Sequence, residues 1–248
     1  MNSPRILCIA LLGLSLCSAA CDKSLAQAMP PLAVLDAGDT VVFQGDSITD
    51  GGRMRTGNDY NHTMGQDYAY ILAARLGATY SERNITFINR GISGDTVPLM
   101  AARWKTETLD LRPNLLSILV GVNDTFYSAE GETADQYEQS YDKLLADTIA
   151  ALPGVKIVLG ESFLLPVGRY KTDYAKKLAE LKKRQDAVAR LAAKYHLPLI
   201  HYQQMMTNAC AKAPPEHWSW DGVHPTYAGH GLMAEEWMRV VDQAWPKP

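Results

Sequence analysis

A serine at position 47, an aspartate at 221 and a histidine at 224 are the residue types that together break acyl bonds. In "WDGVHP", Asp221 and His224 stand three apart, close enough in a loop for the carboxylate to hold one ring nitrogen. The other nitrogen is then free to take a proton from a hydroxyl and so activate it as a nucleophile. Pro225 follows, and proline disfavours the helical region for the residue before it. His224 is therefore expected extended, ahead of the last helix. Ser47 supplies the hydroxyl, where "VVFQGDSITDGG" changes from an apolar run to small polar residues. Each fragment alone has a plainer reading. Asp or Ser after a strand often only caps a helix, Gly121-Val122-Asn123-Asp124 could be an Asx-turn, and Gly91 and Gly94 could merely serve a tight turn.

The elements that must position these residues are written as an alternation. Short β-branched or apolar runs fall at Thr40–Gln44, Ile85–Asn89, Leu115–Gly121, Lys156–Gly160 and Pro198–Tyr202. Four of them are almost continuously apolar, as strands buried on both faces are. Helical spacing joins Tyr68, Ile71, Leu72 and Leu76, with Gly77 as the expected stop. The same spacing joins Tyr137 to Leu152, Tyr174 to Tyr195 and Ala228 to Val241, and Pro98 stands in the first turn of another helix. Strand and helix repeated in this way predict a parallel sheet with helices on both faces, a three-layer α/β/α sandwich of about five strands. In such sheets ligands bind beyond the carboxyl ends of the strands. Gly45-Asp46-Ser47, Gly91 to Asp95 and Gly121 to Asp124 all follow strands.

At this point the chain resembles the SGNH hydrolases, also called GDSL esterases. The four blocks of that superfamily match Gly45-Asp46-Ser47, Gly94 within "NRGISGDT", Gly121 to Asp124, and Asp221 to His224, in order. The resemblance implies the flavodoxin-like SGNH fold, a triad of Ser47, His224 and Asp221, and an oxyanion hole. The hole would comprise the backbone N–H groups of Ser47 and Gly94 and the side-chain amide of Asn123. The Gly-x-Ser-x-Gly elbow of the larger α/β-hydrolases is absent, since position 49 is Thr. "FQGDSITDGGR", "NRGISGDTV", "ARW", "GVND" and "VHPTYAGH" are similar to the bacterial acetylxylan-esterase branch. That likeness implies removal of acetyl or other short acyl groups from xylan or related carbohydrates, without a cofactor. A lysophospholipase or broad esterase would use the same residues, and a carbohydrate-binding relative without catalysis is the reading outside enzymes.

His217, Asp221, His224 and His230 lie close in sequence, which raises a metal site; that reading leaves Ser47 unexplained, and none is expected. His62, Trp218, Trp220 and Tyr227 are candidates to line a substrate pocket, the aromatic faces as platforms for a sugar ring or acyl chain. Asp46 and Asp124 read as local hydrogen-bond supports. Arg90 and Glu161 stand at strand ends where they could touch substrate or simply pack.

Of the 248 residues 47% are apolar and 21% charged, the balance of a soluble globular chain. The net charge of −3 is spread without a block of one sign, which argues against nucleic acid as a partner. Arg5, the apolar run Ile6 to Leu16 and Ser18-Ala19-Ala20 describe an export signal, too short to span a bilayer comfortably. Cleavage after Ala20 would leave Cys21 first, as in a bacterial lipoprotein anchored by lipid; cleavage after Ala28 would give a periplasmic or secreted protein. Residues 1–28 are thus read as signal, 29–38 as a lead-in and 39–248 as one catalytic domain. Cys8 and Cys17 would leave with the signal, so Cys21 and Cys210 offer no disulfide framework.

Overall fold

Five strands form the centre of the protein: β1 (Thr40–Gly45), β2 (Thr86–Asn89), β3 (Leu115–Leu119), β4 (Lys156–Gly160) and β5 (Leu199–Ile200). The computed structural model describes residues 34–57, 59–127 and 132–246, all within one unit, Leu32–Pro248. The segment read as an export signal, residues 1–28, lies outside the described residues. All strand pairs are parallel, in the order β2-β1-β3-β4-β5. Strand order therefore reverses between β1 and β3, where the crevice of a doubly wound sheet opens.

β1 and β3 are buried along nearly their whole length because helices cover both faces. Successive strand residues point to opposite faces. Val42, Leu116 and Ile118 pack into one layer with α7 (Ala134–Ala151) and α8 (Tyr174–Tyr195). Phe43 faces the other layer, its ring 5.9 Å from that of Tyr68 on α3 (Tyr68–Thr79) and 5.8 Å from that of Trp237 on α11 (Tyr227–Ala244). Trp237 is wholly buried, and its indole N–H donates to Ser117 Oγ at 3.0 Å. Both apolar layers follow from the runs visible in the sequence.

Shorter helices carry the strand-end loops: α1 (Ser47–Asp50), α2 (Tyr60–Met64), α4 (Val97–Ala102), α5 (Trp104–Glu107), α6 (Val122–Phe126), α9 (Tyr202–Ala209) and α10 (Pro215–Trp218). Several boundaries differ from expectation. α3 runs through Gly77 to Thr79, because glycine costs a helix only about 1 kcal/mol and tertiary packing outweighs it. β3 ends at Leu119, two residues before Gly121, where the chain turns into α6. β5 keeps only Leu199 and Ile200, since Tyr202 already opens α9. Val34 and Leu35, in the stretch read as a lead-in, are buried, and their carbonyls accept from Lys156 Nζ and Arg83 Nη1.

Candidate active site

Ser47 is the first residue of a one-turn helix set directly on the end of β1. Gly45 makes this junction: a Cβ there would lie 2.2 Å from the carbonyl oxygen of Leu119 on the neighbouring strand. Asp46 caps the turn, its Oδ1 accepting from the N–H of Ile48 at 3.0 Å. Ser47 Oγ then stands 2.8 Å from Nε2 of His224. The strand is fixed by the sheet and the helix by its cap, so the hydroxyl is held on rigid elements.

His224 is gripped from three sides. Its Nδ1 lies 2.7 Å from Asp221 Oδ2, while Asp221 Oδ1 accepts from the N–H groups of His224 at 2.8 Å and Val223 at 2.9 Å. Its carbonyl accepts from Ser219 Oγ at 2.7 Å and from the N–H of Trp220 at 3.1 Å, and Ser219 and Pro225 form an antiparallel bridge that closes the loop. The Trp220 indole stacks on the imidazole, centroids 5.2 Å apart and planes 14° from parallel. The hydrogen bond to Asp221 raises the affinity of His224 for a proton, against the desolvation that opposes it. At Asp221 burial pulls upward, but the donors from His224 and Val223 prevail and hold the carboxyl below its usual range.

The loop after β2 is tied to α1 by a buried carboxylate. Asp50 Oδ2 accepts from the N–H and hydroxyl of Ser93 at 2.8 and 2.6 Å and from Arg55 Nη2 at 2.7 Å. Gly94 follows with φ +91°, a conformation that costs glycine little and other residues much. From the end of β3, Asn123 on α6 sends its amide Nδ2 to the carbonyl of Asp95 at 3.0 Å, which joins the second and third strand-end loops. The amide nitrogen carries a second hydrogen beyond the one given to Asp95. Asp124 accepts from the N–H of Val97 at 2.7 Å and so fixes α6 against α4.

Two buried carboxyls therefore support the site, and one oxygen of Asp46 has no hydrogen-bond partner among the described residues. Desolvation pushes Asp46 up to about 7, moderated by the Ile48 N–H and the charge of His224. Desolvation likewise pushes Asp124 up to about 7. His230 on α11 is also buried, and desolvation lowers it to about 4, so it stays neutral beside the cavity.

A cavity of about 520 Å³ opens above Ser47 and His224, and Gln66, Ser93, Trp220 and Tyr227 are among the residues that line it. Trp220 and Tyr227 thus lie where a pocket wall was expected, 64% and 88% exposed. Trp218 does not. Its indole N–H donates to the carbonyls of Ala209 and Ala213, and its ring lines a separate cavity with Met205 and Leu232. His62 is also absent from the catalytic cavity's lining; its Nδ1 pairs with Asp59 at 2.7 Å on the surface of α2. Arg90 is ion-paired with Glu107, and Glu161 is buried against His201 and the N–H of Gln203. His217 packs edge-on to Trp218 and His224 is engaged by Asp221. Among the described residues no three His, Cys, Asp or Glu side chains converge as a metal ion would require. Asp50, Ser93 and Gln66 were not singled out from sequence: their roles come from loop-to-loop contacts that no spacing encodes.

The model of the GDSL-like Lipase/Acylhydrolase family matches residues 43–232. The chain is 27% identical over 225 residues to the acetylxylan esterase of Geobacillus stearothermophilus, covering 85% of this chain and 97% of that protein. A crystal structure of that esterase superposes with a TM-score of 0.73 at 28% identity, over 83% of this chain and 95% of the other. A candidate GDSL-like lipase from Parabacteroides merdae ATCC 43184 is 33% identical with a TM-score of 0.79, over 84% of this chain and 97% of that one. An α/β hydrolase from the metagenome of Lake Arreo, Spain, is 26% identical with a TM-score of 0.75, over 86% and 99%.

Proposed function

The chain belongs to the GDSL-like lipase/acylhydrolase family, and from that premise we propose that it is a serine esterase that removes acetyl or other short acyl groups from xylan or related carbohydrates. The observation that carries this reading is the relay from Ser47 Oγ through the imidazole of His224 to Asp221, with links of 2.8 and 2.7 Å. As Ser47 attacks the ester carbonyl, His224 Nε2 takes its proton, and Asp221 holds the ring and stabilises the imidazolium. Negative charge gathers on the carbonyl oxygen and is met by the N–H groups of Ser47 and Gly94 and the amide of Asn123. One such donor commonly lowers the barrier by about 3–4 kcal/mol. Collapse breaks the bond to the sugar oxygen, which takes the proton from His224, departs as the sugar hydroxyl and leaves Ser47 acylated. Water, deprotonated by the same imidazole, releases acetate and restores the serine.

The cavity beside Trp220 and Tyr227 supports a saccharide leaving group, because aromatic faces pair large apolar area with a polar edge. The N-terminal signal-like segment supports a site of action outside the cytoplasm, where a polymeric substrate is found. Hydrolysis of acetylated xylan, short acyl esters and lysophospholipid by the purified protein tests the reading. Preference for acetylated saccharide supports it. Preference for lysophospholipid or long acyl chains replaces the substrate class, and retained sugar binding without turnover replaces the enzyme with a binding protein.

A further inference from the structure

Near the Asp221 loop, a guanidinium lies over two aromatic rings. Arg169 follows β4 in the short turn Gly168–Tyr170. Its Cζ lies 5.1 Å from the ring centroid of Tyr127 and 5.0 Å from that of Tyr170, and its Nη2 donates to the Tyr170 hydroxyl at 3.1 Å. The two tyrosine hydroxyls are 3.0 Å apart, so rings and cation form one unit.

This unit lies outside the lining of the cavity over Ser47 and joins two elements that adjoin it. Tyr127 ends α6, the helix that carries Asn123, and its N–H donates to the Asn123 carbonyl at 2.8 Å. Gly168 and Tyr170 pack against Asp221 and Gly222: a Cβ on Gly168 would meet the Asp221 carbonyl at 3.5 Å, and one on Gly222 would meet the Tyr170 ring at 3.0 Å. The charge of Arg169 is felt at His224, where it opposes protonation.

Arg169 is exposed, yet it forms no ion pair among the described residues. Arg55, Arg90, Arg103, Arg184, Arg190 and Arg239 each hold a carboxylate. Asp221, on the adjoining loop, is engaged by His224. Lys177 adds a second cation over the Tyr170 ring, 5.5 Å from its centroid, while it donates to the carbonyls of Arg169 and Thr172. An arginine restrained by two rings has lost freedom in advance, and its planar fork matches a carboxylate.

We propose that Arg169, clasped by Tyr127 and Tyr170 beside the Asp221–His224 loop, is a specificity subsite for a carboxylate borne by the substrate, such as a uronic-acid substituent of an acetylated saccharide. The inference rests on the esterase reading and adds the charge of the preferred substrate. A carboxylate fits better than a phosphate, because the fork offers two parallel donors and the Lys177 ammonium beside it already donates to two carbonyls, whereas a dianion calls for several free donors. The half-exposed Tyr127 ring offers the sugar a face to lie on.

Three acetylated xylo-oligosaccharides of equal length test the proposal: neutral, uronate-bearing and phosphate-bearing. The expected result is kcat/KM about tenfold higher for the uronate than for the neutral substrate, carried by KM, which corresponds to about 1.4 kcal/mol. Arg169→Gln brings that ratio to about one, Arg169→Lys leaves it in between, and added salt erodes it. A ratio of one in the unaltered protein, or one indifferent to Arg169→Gln, overturns the proposal. So does a stronger gain from phosphate, or an equal loss on all substrates with a shifted pH profile, which would mean that Arg169 acts only through His224. Calorimetric titration of Ser47→Ala with the uronate-bearing and neutral oligosaccharides measures the same preference without turnover. Loss of all ester hydrolysis in the unaltered protein therefore strikes the function, and loss of acid preference in binding strikes the subsite.

Discussion

One carboxylate holds both the ring and the backbone of the histidine: Asp221 Oδ2 lies 2.7 Å from Nδ1 of His224, and Asp221 Oδ1 accepts from its N–H at 2.8 Å. Asparagine at 221 can keep the backbone bond but turns an amide N–H towards Nδ1. The ring is then driven to the tautomer whose Nε2 carries the proton and cannot accept one from Ser47. Asp221→Asn is expected to lower kcat about 10⁴-fold while the protein stays folded, as steady-state kinetics with circular dichroism would show. In the proposed mechanism the base is neutral His224, whose proton affinity Asp221 raises, so kcat/KM is expected to fall as pH drops through a value above the ordinary 6.5. In the variant the residual activity loses this limb at lower pH.

In the proposed mechanism the amide of Asn123 is the side-chain donor of the oxyanion hole. Asn123→Ala is expected to reduce kcat about 10²–10³-fold with little change in KM, because the bond strengthens only as charge develops. Equal losses in binding and turnover would place the amide on the ground-state substrate.

Asp50 shapes the site without touching the reacting atoms. It is almost wholly buried, and its Oδ2 gathers the N–H and hydroxyl of Ser93 and a guanidinium N–H of Arg55. Asp50→Asn replaces a charged acceptor with a neutral one and loosens the loop that ends in Gly94. A fall in kcat of about 10–100-fold is expected, since bonds to charged groups contribute about 1.5–3 kcal/mol each. Ser93→Ala should give a smaller loss on the same step.

The fold and the blocks around Ser47, Gly94, Asn123 and Asp221–His224 were legible because each rests on local chemistry: apolar runs, small residues at strand ends, and a proline after the histidine. Asp46 and Asp124 were legible as supports for the same reason. The pocket wall was only half legible. Trp218, Trp220 and Tyr227 look alike in sequence, but the bridge between Ser219 and Pro225 sends Trp220 over His224, while Trp218 lies over α9 with its N–H on Ala209. Arg169 carried no signal at all, since its partners Tyr127 and Tyr170 are set by how α6 packs on the loop after β4.

Burial of Asp46 and Asp124 has a consequence for stability. Each carboxyl is raised from 3.8 to about 7 in the folded protein, so the native state holds protons that the unfolded chain has released. Their contribution is fully present below pH 3.8 and is lost as pH rises through about 7. Asp124→Asn cannot ionise and can still accept from the N–H of Val97. Chemical denaturation at a series of pH values should show the unaltered protein losing stability between about pH 4 and 7 relative to this variant. A parallel pair of curves would mean that the carboxyl is ionised in the fold.

The account as a whole requires Ser47 to be the nucleophile that His224 activates. A fluorophosphonate probe, followed by peptide mass analysis, measures this directly. The expected result is a single adduct on Ser47, slowed greatly in His224→Ala and absent in Ser47→Ala together with ester turnover. An adduct on another residue, or hydrolysis that survives in Ser47→Ala, would contradict it.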